Sequence, residues 1–323
     1  MYFWEVVWKE QLIQLKALEL PLERLDAKKA RLEALRPMPL FALNKLRDTL
    51  SIEWTYHSNA IEGNTLNLVE TLVVIEDGMT IKGKSLREHL EAINHHEAIE
   101  QVIALAQPGA IITERIILDL HALVLQKIEK DFAGRYRNMP VRIIGANFLP
   151  PNYLKVPDLM EELMVWLREN TEELHPVLLA AAFHHRFVWI HPFVDGNGRT
   201  VRLLQNLLLM SKGYPPAIIL KEDRQKYYRA LNEANEGRFA NLALLMVQAA
   251  ERTIDIYLGT FDGSLDAYQP IGNLAEEPDM PYGEEYIGLL ARRGKIDAYK
   301  EGKRWFTTKK AIEEYRAGRQ RMR

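Results

Sequence analysis

The sequence predicts a mainly α-helical protein with a small β-hairpin set into it and a basic α/β module near its C-terminal end. Three observations carry this. Most of the chain is rich in Leu, Ala, Glu and Lys with apolar residues at helical spacing. One segment, 134–153, changes texture to Gly, Pro and Asn around a short alternating run. Residues 291–323 hold 12 Lys/Arg against 4 Asp/Glu, a local +8 in a chain of net −2, which leaves −10 for the rest.

The elements follow in order. Residues 11–35 read as helix, interrupted at Pro21. A longer helix runs from about Leu40 to Ile61 and stops before Gly63. EHLEAINHHEAIEQVIALA is a further helix, ended by Pro108-Gly109, and Thr113-Glu114 opens the next. In GRYRNMPVRIIGANFLPPNY, Val141–Ile144 reads as a strand, Gly145-Ala146-Asn147 as a turn, and Pro150-Pro151 closes the return strand. Helical spacing resumes from Val156 to Leu167. PVLLAAAFHHRFVWI is apolar on nearly every side, so it is a central buried helix with Pro176 in its first turn. VRLLQNLLLM continues as an apolar helix, and EDRQKYYRALNEANEG and NLALLMVQAAERTIDIYLGTF close the body. Residues 262–282 read as loop. The expected units are an N-terminal helical region (1–112), a catalytic core (113–262) and a basic module (280–323).

Composition narrows the chemistry. With 323 residues, 47% hydrophobic and 27% charged, the chain has ample material for a core. It has no cysteine, which excludes disulfides and thiolate metal sites. No run of 18 apolar residues appears, and MYFWEVVWKE lacks the layout of a signal peptide, so a cytoplasmic protein without a membrane partner is expected.

HPFVDGNGRTVR, His191 to Arg202, is the informative string. Gly196 and Gly198 flank Asn197 between two apolar helices, so backbone amides converge where a helix begins, and a helix N-terminus attracts anions. Arg199 and Arg202, three residues apart, lie over one face of that first turn and suit phosphate oxygens. Asp195 beside the turn suits Mg²⁺ bridging phosphates. His191 at the loop entrance offers an imidazole to take a proton from an attacking hydroxyl. A lone GxG would usually be a mere turn; the whole string together is not explained that way.

The string resembles the signature of the Fic family, His-Pro-Phe-x-Asp/Glu-Gly-Asn-Gly-Arg-x-x-Arg, at every defining position. GRYR followed by VRIIGANFLPP resembles that family's hairpin flap, and KGYPPAIILKEDRQKYYRALNEANEG its base-contacting segment. The similarity covers roughly residues 40–250. It implies a Fic-fold helical bundle and a protein adenylyltransferase that moves AMP from ATP, with Mg²⁺, to a Ser, Thr or Tyr hydroxyl of a target protein. His191 would be the general base and Asp195 the metal ligand. Gly196, Asn197 and Gly198 would form the anion hole, with Thr200 in the same turn and Arg199 and Arg202 on the β- and γ-phosphates. Tyr227 and Asn235 would contact the adenosine. The flap, about Arg142 to Asn147 with Ile144, Gly145 and Ala146 at its tip, would dock the target's backbone.

SNAIEGN, Ser58 to Asn64, ends the long helix, with Ser58 and Glu62 on one face. Taken alone, Glu62 is a solvated helix-end carboxylate, poorly placed for the helix dipole. The string resembles the family's inhibitory motif, Ser/Thr-x-x-x-Glu-Gly/Asn, which implies that Glu62, followed by Gly63, pairs with Arg202 and blocks the γ-phosphate. This arrangement is that of the family members with an N-terminal inhibitory helix, called class II. In some relatives the same glutamate serves the reverse reaction, removal of AMP.

His184 and His185 read as core residues rather than metal ligands, and His95, His96 and His121 as ordinary helix residues. The N-terminal helices either mediate a homodimer or cap the bundle. From Glu284 to Tyr315 the pattern is helix, Gly294 stop, strand, Glu301-Gly302 turn, strand, helix, which resembles winged-helix or excisionase-like modules. Arg292, Arg293, Lys295, Lys303 and Arg304 there suit DNA phosphates or a protein surface. An ATP-sensing DNA-bound regulator is the alternative from another class.

Overall fold

The computed structural model describes residues 18–143, 145–263 and 267–321. Expectations for residues 11–17 and for Ile144 lie outside the described residues. The body is a helical bundle: α1 (Glu19–Ala34), α2 (Leu40–Ile61), α3 (Leu68–Glu76), α4 (Leu86–Leu105), α5 (Glu114–Leu125), α6 (Val156–Asn170), α7 (Pro176–Ile190), α8 (Asn197–Ser211), α9 (Arg224–Asn235) and α10 (Ala240–Asp262).

Local chemistry sets the helix ends. Asn67 with Glu70, and Ser85 with Glu88, form reciprocal capping boxes at the starts of α3 and α4. Thr113 caps α5 through Ile116 N–H. Gly63, at φ 105°, lets the chain leave α2 in a conformation that would strain a residue with a Cβ. Pro21 and Pro176 are tolerated because each lies in a first turn, where its missing N–H has no partner to lose.

The centre of the bundle is α7, apolar around its circumference, with α8 packed along it. Phe183, Phe187, Phe193, Leu203, Leu204 and Met246 are fully buried in this core. At roughly 1.5–3 kcal/mol for each large apolar side chain removed from water, this core is the main source of stability. The helix α4 bridges α2, α5 and α8, which brings the N-terminal half of the chain against the loop that joins α7 to α8. No helix among the described residues is long and apolar enough to cross a membrane.

Two expectations about local structure change. Residues 141–143 and 145–150 contain a turn and bends but no strand. The alternating run reads as a strand, yet among the described residues no strand pairs with it, and Asn232 of α9 bonds the backbone of Gly145 and Asn147 that follow it. Second, residues 269–275, read as loop, form a short strand β1 (Gln269–Pro270) and a helix α11 (Ile271–Ala275). These belong with α12 (Glu284–Arg292), β2 (Ala298–Glu301), β3 (Arg304–Thr307) and α13 (Lys309–Arg321). The sheet is antiparallel in the order β1-β3-β2, with Gln269 and Ala298 flanking Thr307. Ile271, Leu274, Ile287, Leu290, Ile296 and Ile312 form its separate core.

The module docks on α10. Gln248 donates to the carbonyls of Ala291 and Arg292, and Arg252 to that of Lys300. Beneath this seam Lys28 of α1 reaches Glu251 (3.1 Å), Asp255 (2.7 Å) and Asp297 (2.6 Å), and Arg24 forks onto both oxygens of Glu251. The first helix, the last helix of the bundle and the module therefore meet in one buried charge cluster.

Candidate active site

The loop between α7 and α8 begins with His191 in the left-handed conformation (φ 51°, ψ 60°) at the helix C-terminus. A non-glycine residue holds that conformation only when its surroundings enforce it. Arg137 supplies much of the enforcement. It is 3% exposed, and its guanidinium donates to the carbonyls of His191 (2.8 Å), Met139 (3.3 Å), Pro151 (2.6 Å) and Ile190 (3.4 Å), while its own N–H donates to Pro192 (2.9 Å). One arginine thus ties the α7–α8 loop to both ends of the 139–151 segment. Burial pushes the half-buried His191 imidazole down to about 4, partly offset by the Val188 carbonyl. The ring is a neutral base at physiological pH, and with Nδ1 sealed in the interior, Nε2 is the nitrogen left to receive a proton.

Two further side chains hold the loop. Asn197 exchanges both hydrogen bonds with the Phe193 backbone at 2.9 Å, so its amide is a tether and only its main-chain N–H is left for an anion. His121 stacks on Phe193 at 3.5 Å and meets the Asp195 carbonyl through Nε2 at 3.0 Å. Gly134 N–H donates to Nδ1 of the same ring, which fixes the proton on Nε2. His121, expected to be an ordinary helix residue, thus supports the loop, as does Arg137, for which no role was expected. The GRYR string that holds Arg137 was visible, but its contact with His191, 54 residues away, was not.

Gly196, at φ 77°, caps the start of α8, whose first-turn amides have no intrahelical acceptor and receive no side-chain cap from Gly196. Thr200 is fully buried one turn in. Arg199 and Arg202 are 3% and 2% exposed, and among the described residues Arg199 Nε and Arg202 Nη1 have no hydrogen-bond acceptor. Buried guanidinium donors without acceptors are costly unless an anion completes them. Arg202 donates through Nε to Ser58 Oγ (2.9 Å) and through Nη2 to the Ser58 carbonyl (2.8 Å) and Glu62 Oε1 (2.7 Å). Burial, the largest influence, would lower this arginine; the Glu62 carboxylate together with the Tyr227 and Tyr228 rings outweighs it and the net shift is upward. The glutamate therefore reaches from the end of α2 into the first turn of α8. There it lies so close to Gly198 that a Cβ at that position would stand 2.1 Å from Glu62 Oε1.

Asp195 accepts from Gly196 N–H (2.6 Å), Arg199 (3.3 Å) and Arg87 (2.8 Å). Burial raises the carboxyl, but the two arginines and the amide win and hold it below the ordinary range. An ionised, 40% exposed carboxylate that already carries a cationic group fits a divalent ion.

On the far side, Asn147 is fixed to α9. Its N–H meets Asn232 Oδ1 (3.3 Å), its amide donates to Glu236 (2.8 Å), and Asn232 donates to the Gly145 carbonyl (3.0 Å). Asn235 joins Asn147 (3.3 Å) to His185 (2.8 Å). Ala146 sits in the same turn, its N–H on the Ile143 carbonyl. Tyr227 is placed differently from the expectation of a nucleotide contact. It is 1% exposed, its hydroxyl bonded to His184 Nε2 at 2.7 Å behind Arg202. Its neighbour Tyr228 is the ring that reaches the end of α2, through the Ile61 carbonyl.

Comparison with known proteins agrees with this geometry. A family model described as Fic/DOC family matches residues 111–209. Protein adenylyltransferase Fic of Aedes aegypti is 37% identical over 277 residues, covering 85% of this chain and 54% of that protein. The chain spans about half the length of the curated relatives it matches. Among solved structures, a fragment of Fic-1 from C. elegans is 32% identical with a TM-score of 0.71, over 78% of this chain and 75% of that one. A Fic-domain-containing signaling protein from Bacteroides thetaiotaomicron is 27% identical with a TM-score of 0.69, over 75% of this chain and 97% of that one. The shared fold, the Fic-1 likeness over three quarters of that fragment and the α7–α8 loop together show that the chain belongs to the Fic/DOC family.

Proposed function

We propose that the chain transfers AMP from ATP to a Ser, Thr or Tyr hydroxyl of a target protein, under restraint by Glu62. The name of its curated relatives, protein adenylyltransferase Fic, supports the reaction. The observation that carries the restraint is the 2.7 Å contact between Glu62 and Arg202.

In this reading, the amides of α8's first turn and Arg199 and Arg202 receive the phosphate oxygens of ATP. Asp195 would hold the divalent ion, which neutralises phosphate charge when bound. The target's backbone lies along residues 142–147, which aligns one hydroxyl with the α-phosphate. His191 Nε2 takes the hydroxyl proton; the oxygen bonds to the α-phosphorus as the bond to pyrophosphate breaks, and the arginines carry the leaving charge. Glu62 opposes this by keeping Arg202 Nη2 and filling the space above Gly198, so the γ-phosphate is turned out of line.

Incubation with labelled ATP and Mg²⁺ tests the reading with wild type, Glu62→Gly, and Glu62→Gly with His191→Ala. Label on protein in the single variant and none in the double supports it. No label in any variant, with ATP bound, sinks it.

The reverse reaction shares the site. Arg202 engages one oxygen of Glu62, and the side chain is one-third exposed, which leaves Oε2 to orient a water. Wild type releasing AMP from a labelled protein, with Glu62→Gly unable to, would favour removal. For the C-terminal module, the exposure of Arg292, Arg293, Lys303 and Arg304 favours DNA, while Glu284 and Glu285 in the first turn of α12 oppose it. Salt-sensitive binding of duplex DNA by the full chain, weakened by Lys303→Ala with Arg304→Ala, would support that role; no binding at low salt ends it.

A further inference from the structure

The rim of the site is formed by α4, whose Arg87 and Glu91 are one turn apart and 3.3 Å from each other. Each is also crossed onto a group of the catalytic loop. Arg87 Nη2 lies 2.8 Å from Asp195 Oδ2, and Nη1 lies 3.2 Å from Glu129. Glu91 Oε1 lies 3.3 Å from Arg199 Nη1. A cation therefore covers the carboxylate that would hold the metal, and an anion covers an arginine that would hold phosphate. Mg²⁺ and the triphosphate bring those same two charges.

The exposures say which groups can give way. Arg199 is 3% exposed and stays, whereas Arg87 is 49% exposed and has water beside it. Once released, Arg87 and Glu91 keep each other as partners, so neither is left bare. The restraint also connects to the other one. Asn64, two residues after Glu62, donates to Glu91 Oε2 (3.0 Å) and to the Glu88 carbonyl (3.0 Å). Glu91 and Glu62 thus press on the two arginines of α8 from one continuous stretch of chain, residues 62–91.

We propose that Arg87 and Glu91 are a second restraint on the site, in which Arg87 competes with the divalent ion for Asp195 and Glu91 competes with phosphate for Arg199. This rests on the reading of Asp195 as the metal ligand. Removing Glu62 alone then leaves the metal half of the site still covered. Arg87 is a positioning residue here; it takes no part in the transfer.

The test is calorimetric binding of ATP to the full chain, with Mg²⁺ and with EDTA, in wild type and in Glu62→Gly. Arg87→Gln is expected to tighten Mg·ATP by about two- to fivefold, the range of an exposed ion pair, and to leave metal-free ATP unchanged. Arg87→Lys, which keeps the charge, stays near wild type. Glu91→Gln tightens ATP with or without metal. Asp195→Asn is the control on the underlying reading: it abolishes the gain in affinity that Mg²⁺ gives. If that gain survives Asp195→Asn, the assignment of the metal ligand is wrong. If Asp195→Asn abolishes it but Arg87→Gln leaves Mg·ATP unchanged or weaker, the metal ligand stands and the second restraint is overturned, a weakening assigning Arg87 to phosphate. Unchanged thermal unfolding of Arg87→Gln confirms that the variant is folded.

Discussion

Two clusters of buried charge join the N-terminal helices to the rest of the molecule, and they are built in opposite ways. Around Lys28, one ammonium meets three carboxylates at 2.6–3.1 Å, Arg24 adds a fork, and the side chains of Lys28, Glu251 and Asp255 are 6% exposed or less. Glu251, Asp255 and Asp297 form a set of ligands that would suit a cation, and the cation is Lys28 itself. Around Arg202, by contrast, one carboxylate oxygen meets one nitrogen, Glu62 is one-third exposed, and Arg202 Nη1 is unspent. A contact that fills every donor and excludes water is a fastening. One that leaves donors free and water at hand can exchange its partner for a ligand.

The largest effect separates the two directly. Lys28→Ala strands the buried Asp255 and leaves the buried Glu251 to Arg24 alone, and should cost about 3–5 kcal/mol in denaturant unfolding. A loss under about 1 kcal/mol would mean that the cluster is no fastening, and the contrast would collapse. Burial and the neighbouring Glu251 and Asp297 raise Asp255, so the penalty should shrink in acid, where that group takes up a proton.

Next comes the contact that opens. Glu62→Gly should raise AMP transfer on the order of 10- to 100-fold, the scale of an allosteric coupling, while shifting unfolding little. If unfolding moved as far as in Lys28→Ala, Glu62 would be a fastening too.

A pH series sharpens the contrast further, because the bundle around the site is rich in neutral histidines. Burial holds His121, His185 and His191 near 4 and His184 and His57 near 3, against 6.5 in the unfolded chain. Between those values the unfolded state binds more protons, so stability is full above about pH 6.5 and falls as pH drops toward 4. For transfer, the acid limb of kcat/KM, which reports the free protein, should sit near pH 4 with no inflection at 6.5. An inflection at 6.5 would show that His191 titrates as an exposed imidazole.

The smallest effect concerns the 142–147 segment. Asn232→Ala removes the acceptor for Asn147 N–H and the donor to the Gly145 carbonyl, at about 0.5–1.5 kcal/mol each. Amide exchange in residues 145–149 should quicken, and KM for the target should rise with ATP affinity unchanged. Equal loss of both would place Asn232 at the nucleotide.

What could be read in advance follows from distance along the chain. His191, Asp195, the two glycines and both arginines lie within twelve residues, and the loop that joins two buried helices brings them together whatever the rest does. Ser58 and Glu62 were likewise legible as one helix face, although the partner Arg202 came only with the family resemblance. Arg137, His121, Arg87 and Glu91 act over 54 to 108 residues, and no local pattern distinguishes a buried arginine from a solvated one. The strand expected at 141–144 failed for a related reason: alternation shows which residues suit a strand, not whether a neighbour exists to pair with it. Residues 269–275 looked like loop because the two-residue strand and five-residue helix are too short to carry a period.

Gly198 has one last consequence. The side chain it lacks is what allows a carboxylate to approach α8, and the same opening is what a phosphate would need. If the proposed function holds, glutamate and phosphate would be rivals for a single volume beside Gly198. Changes at the Glu62 end can free the site in many ways, since any shorter residue withdraws from it. Changes at the Gly198 end have no such freedom: a methyl group there would stand 2.1 Å from Glu62 Oε1 and 3.0 Å from Arg202 Nη1, so it would displace the glutamate and crowd the arginine together. In the proposed reading, the Glu62–Arg202 contact is thus adjustable from the α2 end and not from the Gly198 end.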